Sequence, residues 1–212
     1  MTKKERARLI TERLNEVYGL DLECYLQYDR EKPWQLLFAT MLSAQCTDAR
    51  VNMVTPALFE AYPTLEDMAA ADVSEVEKYI FSTGFYHNKA KNIIACCQAL
   101  LERHGGEVPS DIESLTALPG VGRKTANVVR GNVYGIPSIV VDTHVKRIAK
   151  RLGLTEHTDP VKVEFDLMEQ VPKDHWILIN LDLIALGRTI CKAPAPRCAE
   201  CFLADICPSC SC

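Results

Sequence analysis

Four cysteines near the end of the chain, Cys191, Cys198, Cys201 and Cys207, have six, two and five residues between them. Thiolates this close in sequence can surround one metal centre without help from the rest of a fold, so the spacing is strong evidence for metal. A second reactive group is Lys124, which follows a proline and two glycines in Leu118-Pro119-Gly120-Val121-Gly122-Arg123-Lys124. Its amine becomes a nucleophile wherever the ammonium form is disfavoured. A third is Asp142, 18 residues further on and followed by Thr143-His144. Lying across one cleft from the lysine, its carboxylate would take up a proton or stabilise developing positive charge.

The elements that must position these groups are helices. One helical pattern ends at Pro119 and another begins near Arg123, so the glycine pair joins two helices by a tight hairpin. Glycine permits positive φ and leaves no side chain between the backbone and whatever docks there. Backbone N–H groups at the start of the second helix suit a phosphate oxygen, although an ordinary connector would use the same residue types. Lys124 then falls in a first helical turn, where the positive end of the helix dipole opposes its charge. Asp142 stands where an N-cap is expected, and a cap can also be catalytic. A histidine inside a helix, as His144 is, is by itself most simply structural.

The same periodicity runs through most of the chain. Residues 3–18 read as an amphipathic helix stopped by Gly19, and Pro33 opens a strongly apolar helix ending near Ser43-Ala44-Gln45. Pro56 interrupts the next pattern, and a short helix follows Pro63-Thr64. Ser74 to Glu77 and Ser110 to Glu113 have capping-box spacing. Gly84-Phe85-Tyr86-His87-Asn88 reads as a turn before a helix over 89–103, and a helix over 124–134 ends at Gly135-Ile136-Pro137. Residues 138–141 have the composition of a short strand but, with no partner strand in the sequence, read as an extended buried connector, followed by helices to Gly153, over 160–170 and over 174–189. Cys24, Cys46, Cys96 and Cys97 lie within helical patterns and read as small buried hydrophobes.

The net charge of −4 argues against a polyanionic partner until its distribution is considered. Between Leu118 and Arg151 seven cationic residues face only Asp142, a local balance of +6 that leaves −10 for the remainder. A basic stripe on an acidic body suits a binder of phosphate backbones, and Lys146 to Arg151 alone would equally suit a solvated helical face. No apolar run approaches the ~20 residues needed to span a membrane. The charged N-terminal helix lacks a signal-type apolar core, so an intracellular protein is expected. Six of the ten cysteines fall in the last 22 residues, which in such a compartment favours metal over disulfides. Two zinc knuckles, Cys198-x2-Cys201 and Cys207-x2-Cys210, would be separated by five residues, against the ~12 to 20 usual in zinc modules.

Taken together, Leu118 to Val129 resembles the helix-hairpin-helix of the endonuclease III family of DNA repair glycosylases, in the version with a lysine after the hairpin. Val141-Asp142-Thr143-His144 is similar to the family segment carrying the second catalytic residue, and the cysteine spacing is similar to its [4Fe-4S] loop. Leu42-Ser43-Ala44-Gln45-Cys46-Thr47-Asp48 and Gly84-Phe85-Tyr86 resemble two turns whose residues enter the duplex. The resemblance implies an all-α, two-lobed fold. One lobe is a six-helix barrel over 26–136 with the hairpin. The other comprises 1–25 and 137–212 with the cluster loop at about 191–207, and the active site lies in the cleft between the lobes.

It further implies a base-excision enzyme, glycosylase and abasic-site lyase, acting on oxidised pyrimidines in double-stranded DNA. Lys124 would be the nucleophile and Asp142 its partner. Gln45 and Phe85 would be inserted into DNA, Gly120 and Gly122 would anchor its backbone, and Thr143 and His144 would be further contacts. Cys191, Cys198, Cys201 and Cys207 would hold a structural [4Fe-4S] cluster, pinning Lys192 and Arg197 near the backbone. Cys210 and Cys212 are extra to the family pattern, and Phe85 replaces a frequent leucine. A monomer in the cytoplasm, nucleoid-associated if bacterial, is expected. The alternatives are a monofunctional adenine-mismatch glycosylase, which lacks the hairpin lysine, a non-catalytic iron-sulfur DNA-binding or redox-sensing protein, and a zinc-stabilised interaction domain.

Overall fold

The computed structural model describes residues 1–211, and among them there are α-helices and short 3-10 turns but no strand. In chain order the helices are α1 (Lys3–Tyr18), α2 (Pro33–Leu42), α3 (Asp48–Ala61), α4 (Leu65–Ala69), α5 (Val73–Ile80) and α6 (Tyr86–His104). They continue with α7 (Ile112–Thr116), α8 (Arg123–Tyr134), α9 (Thr143–Arg151), α10 (Pro160–Gln170) and α11 (Trp176–Thr189). The chain divides into two compact units, one made of Met1–Glu23 with Gly135–Cys212, the other of Cys24–Tyr134.

In the unit formed by Cys24–Tyr134, α2 is the central helix. Every residue from Trp34 to Leu42 is buried, as its largely apolar composition favours, with polar Gln35 and Thr40 buried among them, and α8 packs along it. The helix α6 lies against α4 and α5 and also touches α2. In the other unit a single core joins α1 (Ile10, Leu14), α9 (Val145, Ile148), α10 (Val163, Leu167) and α11 (Ile179, Leu183). Leu203, fully buried, anchors the cysteine-containing segment in that core. Arg13 of α1 grips the same segment with two bonds to Asp205, at 2.5 and 2.9 Å, and one to Phe202 O at 2.9 Å. Tyr18 adds an edge-to-face contact to Phe202. Residues 138–141 form the expected extended connector, with Asn180 Nδ2 donating to Val140 O at 3.1 Å in place of a neighbouring strand.

Several local expectations are corrected. Helix α3 runs through Pro56, which lies on an exposed face where water can satisfy the carbonyl left without its i+4 partner. The cap of α5 is Asp72 rather than Ser74, and that of α7 is Asp111 rather than Ser110, because each carboxylate accepts from a free backbone N–H of the first turn. The helix after Gly84 begins at Tyr86, three residues before the expected start. Helix α11 begins at Trp176, after a 3-10 turn over Lys173–His175. Cys96 and Cys97 are fully buried, and desolvation pushes the Cys96 thiol up to about 12 and Cys97 higher still. Cys24 and Cys46 instead sit half-buried outside helices. Cys212 lies outside the described residues.

Helices α9 and α11 pack closely against each other. A Cβ added at Gly187 would overlap His144 Nδ1 and lie 2.9 Å from Arg147 Nη2. Gly187→Ala should therefore lower stability by about 1–3 kcal/mol. A thermal melt followed by circular dichroism checks this, and an unchanged melting temperature would mean that both side chains swing aside without cost.

Candidate functional site

The hairpin begins with a turn fixed by two residues. Val121 N donates to Leu118 O at 3.2 Å, with Pro119 and Gly120 at the central positions and Gly120 at φ +73°. That is the type II arrangement, in which the second central residue must take positive φ. Leu118 and Val121 are buried and anchor the turn from below. Gly120 is also held by space, since a Cβ there would come within 2.8 Å of both Asn92 Cβ and Met41 Cε. Gly122 differs: its φ is not positive, and a Cβ there would meet nothing within 4 Å. Nothing in the chain requires a glycine at 122, and the open space faces solvent. Ala126 N donates to Gly122 O at 3.0 Å, which starts α8 and makes exposed Lys124 its second residue.

Two other turns of the same unit share an unusual backbone. Among the described residues, Gln45 (φ +53°) and Phe85 (φ +50°) are the non-glycine residues with positive φ. Such a conformation costs of order 1–3 kcal/mol and persists only where surroundings enforce it. Both side chains are exposed, Phe85 to 64%, so neither residue is held there by packing of its own side chain.

In the other unit Asp142 caps α9, its Oδ1 accepting from Val145 N at 2.8 Å. Thr143 follows as an exposed first-turn residue, whereas His144 is half-buried beside Gly187, with Arg147 Nη2 3.3 Å from its Nδ1. Cys191, Cys198, Cys201 and Cys207 all border one pocket, walled by apolar Ile148, Leu152, Leu186 and Ile190 and also touched by Cys210. Among the described residues no three His, Cys, Asp or Glu side chains converge as a single ion would demand. Burial raises the Cys201 and Cys207 thiols, while hydrogen bonds from Ser211 lower that of Cys198.

The basic stripe of the sequence is partly consumed by this loop. Arg147 Nη2 donates to Cys191 O at 3.0 Å, and Arg151 donates to Lys192 O and Ala193 O at 2.8 Å each. Arg151 Nη1 also lies 3.3 Å from Cys191 Sγ. Arg197, expected near a DNA backbone, donates to Thr189 O at 2.7 Å and pairs with Glu200 at 2.9 Å. Arg130 donates to Ser110 O at 3.2 Å. Lys124, Lys150 and Lys192 are exposed.

Sequence reasoning passed over Lys89. It is buried, and its Nζ donates to Leu42 O at 2.8 Å and Thr83 O at 2.9 Å. The available signal was its phase: Lys89 falls four residues before Ile93 and eight before Cys97, on the buried stripe of α6.

Comparison with known proteins agrees with this geometry. Residues 38–173 match the model of the HhH-GPD superfamily base excision DNA repair proteins. Endonuclease III of Synechocystis sp. is 50% identical over 209 residues, covering 98% of this chain and 94% of that protein. Endonuclease III of Escherichia coli is 42% identical over 181 residues, covering 82% and 83%. The structure of a trapped endonuclease III–DNA covalent intermediate superimposes with a TM-score of 0.92 at 44% identity, over 99% of this chain and 97% of that one. A thermostable thymine-DNA glycosylase shares the fold alone, with a TM-score of 0.85 at 21% identity. With the hairpin lysine and the helical architecture already in place, the chain belongs to the endonuclease III family of HhH-GPD base excision repair proteins, which are DNA glycosylases with abasic-site lyase activity.

Proposed function

We propose that this chain excises oxidised pyrimidines from double-stranded DNA and cleaves the resulting abasic site by β-elimination, with Lys124 as nucleophile and Asp142 as its acid-base partner. The observation that carries the reading is the hairpin: an exposed lysine in a first helical turn, two residues after a glycine whose open space the fold does not use. A base inside a duplex is out of reach, so the nucleotide must leave the stack, at least cost when it is damaged or poorly paired. Gln45 and Phe85 would fill the vacated space. Backbone N–H groups around Gly120 and Gly122 would hold a phosphate, with Thr143 and His144 as further contacts.

Lys124 Nζ then attacks C1′ of the sugar. The N–C1′ bond forms as the bond to the base breaks, and the base leaves with a proton. Opening of the sugar gives an imine between Lys124 and C1′. The imine draws electrons from C2′, a C2′ proton is lost, and the C3′–O bond breaks to release the 3′ phosphate. Water finally returns the amine. Asp142 would shuttle protons and stabilise the positive charge that develops at C1′.

The same reading assigns a [4Fe-4S] cluster to Cys191, Cys198, Cys201 and Cys207. Thiolates that each bind a different iron stand further apart than those on one tetrahedral ion, which suits four cysteines bordering one pocket without converging. The Arg151 guanidinium beside Cys191 Sγ suits an anionic centre. The cluster would supply structure rather than redox chemistry, because hydrolysis and elimination move no net electrons. No helix among the described residues is long and apolar enough to cross a membrane. A monomer in the cytoplasm, associated with the nucleoid if the source is bacterial, completes the reading. The adenine-mismatch alternative is disfavoured by Lys124 itself.

Borohydride should trap a covalent adduct on a duplex containing one oxidised thymine, and Lys124→Gln should abolish it while keeping DNA affinity; an adduct in the mutant would remove Lys124 from the nucleophile's role. Asp142→Asn should leave stability within ~0.5 kcal/mol, since asparagine caps as well as aspartate, yet slow single-turnover excision at least ~10²-fold. A large loss of stability at unchanged rate would reduce Asp142 to a cap. Gly122→Ala should melt like the parent but bind DNA roughly tenfold more weakly, about 1.4 kcal/mol. Unchanged affinity by fluorescence anisotropy would show that the space at 122 is idle.

A further inference from the structure

We propose that Lys89 is a positioning residue that ties the Gln45 and Phe85 turns into one rigid body, so that the two residues enter a duplex together. The proposal rests on the reading above that both residues enter DNA. Three bonds define the tie. Lys89 Nζ reaches Leu42 O, in the last residue of α2 and three positions before Gln45. It also reaches Thr83 O, at the end of a 3-10 turn two positions before Phe85. Its backbone N–H donates to Phe85 O at 3.1 Å, the first helical bond of α6.

The chemistry is unusual for a side chain that only fills space. A buried ammonium is costly unless fully hydrogen-bonded, and burial pushes the Lys89 ammonium pKa down. Its side-chain acceptors are two neutral carbonyls rather than a carboxylate. Leucine or methionine would pack at this position without that cost, but neither could donate to both carbonyls. What the lysine adds is a link between two chain segments 41 residues apart, each carrying a left-handed non-glycine residue. Left-handed residues without their own packing persist only when neighbouring structure over-determines them. The Gln45 turn has a local bond, Cys46 N to Ser43 O at 3.1 Å, and the Phe85 turn has the start of α6. Lys89 is the bond that makes the position of one depend on the position of the other.

Asn92 lies one helical turn beyond Lys89 on α6, and its Cβ bounds the space at Gly120. One face of α6 thus braces the hairpin as well as the two inserting turns. The expected result is energetic coupling between residues that lie on different turns.

The test uses the full-length, cluster-loaded protein. Excision of an oxidised thymine is measured in single turnover for Gln45→Ala, Phe85→Ala and the double variant, in the parent and in Lys89→Met. In the parent, the single substitutions should slow excision and their effects should be non-additive; in Lys89→Met they should become additive. Lys89→Met itself should slow excision of the paired lesion roughly tenfold, but cleavage of a preformed abasic site, which has no base to unstack, by about twofold or less. Lys89→Gln, a neutral donor, should recover part of the loss, and it carries the same comparison if the methionine variant does not fold.

Equal slowing on both substrates, or the same non-additivity in both backgrounds, would overturn the proposal and leave Lys89 as packing. Full activity of Gln45→Ala and Phe85→Ala in the parent would overturn the assignment of those turns, and the tie between them would lose its function. The two failures are thus distinguishable.

Discussion

At Gly120 three elements meet with room for a hydrogen and nothing larger. The hairpin backbone rests on Asn92 of α6 and Met41 of α2, and the positive φ of the turn is what lets it come so close. This one contact sets the height of the hairpin above the apolar centre of its unit, and so sets where α8 begins and where Lys124 emerges. Methionine suits the contact, being unbranched and adaptable, while Asn92 is held by a long helix anchored through buried Lys89, Ile93 and Cys96. A rigid base of this kind would serve the accurate placement of Lys124 in the nucleophile's role proposed for it.

The other unit solves a different problem, that of ordering a loop rich in cysteine and proline that makes no regular secondary structure beyond two 3-10 turns. Its carbonyls at Cys191, Lys192 and Ala193 accept from Arg147 and Arg151 of α9, while Arg197 within it donates back to Thr189 O at the end of α11. Guanidinium groups suit this role because they present several donors in a fixed fork and stay charged. Their charge also remains beside the thiol groups, so the residues that shape the loop also make its interior favourable to an anion.

Much of this was legible in the sequence. Pro119-Gly120 specifies its turn by composition alone, the cysteine spacing needs no tertiary information, and the strongly apolar run of α2 foretells its burial. Less legible were features that depend on distant partners. Arg151 looks like a phosphate ligand until the carbonyls it reaches, more than 40 residues away, are known. Gly120 and Gly122 look equivalent, yet one is fixed by φ and by neighbours and the other by neither. The left-handed backbones of Gln45 and Phe85 had no signal, because side chains that avoid that conformation give no hint of adopting it. Lys89 did leave a trace in its helical phase, though a lysine among apolar residues reads most simply as a charge that snorkels to the surface.

Because one unit is assembled from two segments that flank the other in sequence, its completion is also a matter of timing. On the ribosome α1 emerges well before Asp205, the carboxylate that Arg13 grips, which lies 192 residues further along the chain. The segment over Cys24–Tyr134 carries its own core and can fold while α1 is still without its partners. Once folded, it brings its own two ends together, with Tyr28 Oη donating to Asn132 O at 3.2 Å, which shortens the effective loop that α1 must close. Until the cysteine segment has left the exit tunnel, the apolar stripe of α1 (Ala7, Ile10, Leu14) is without part of the core it packs against.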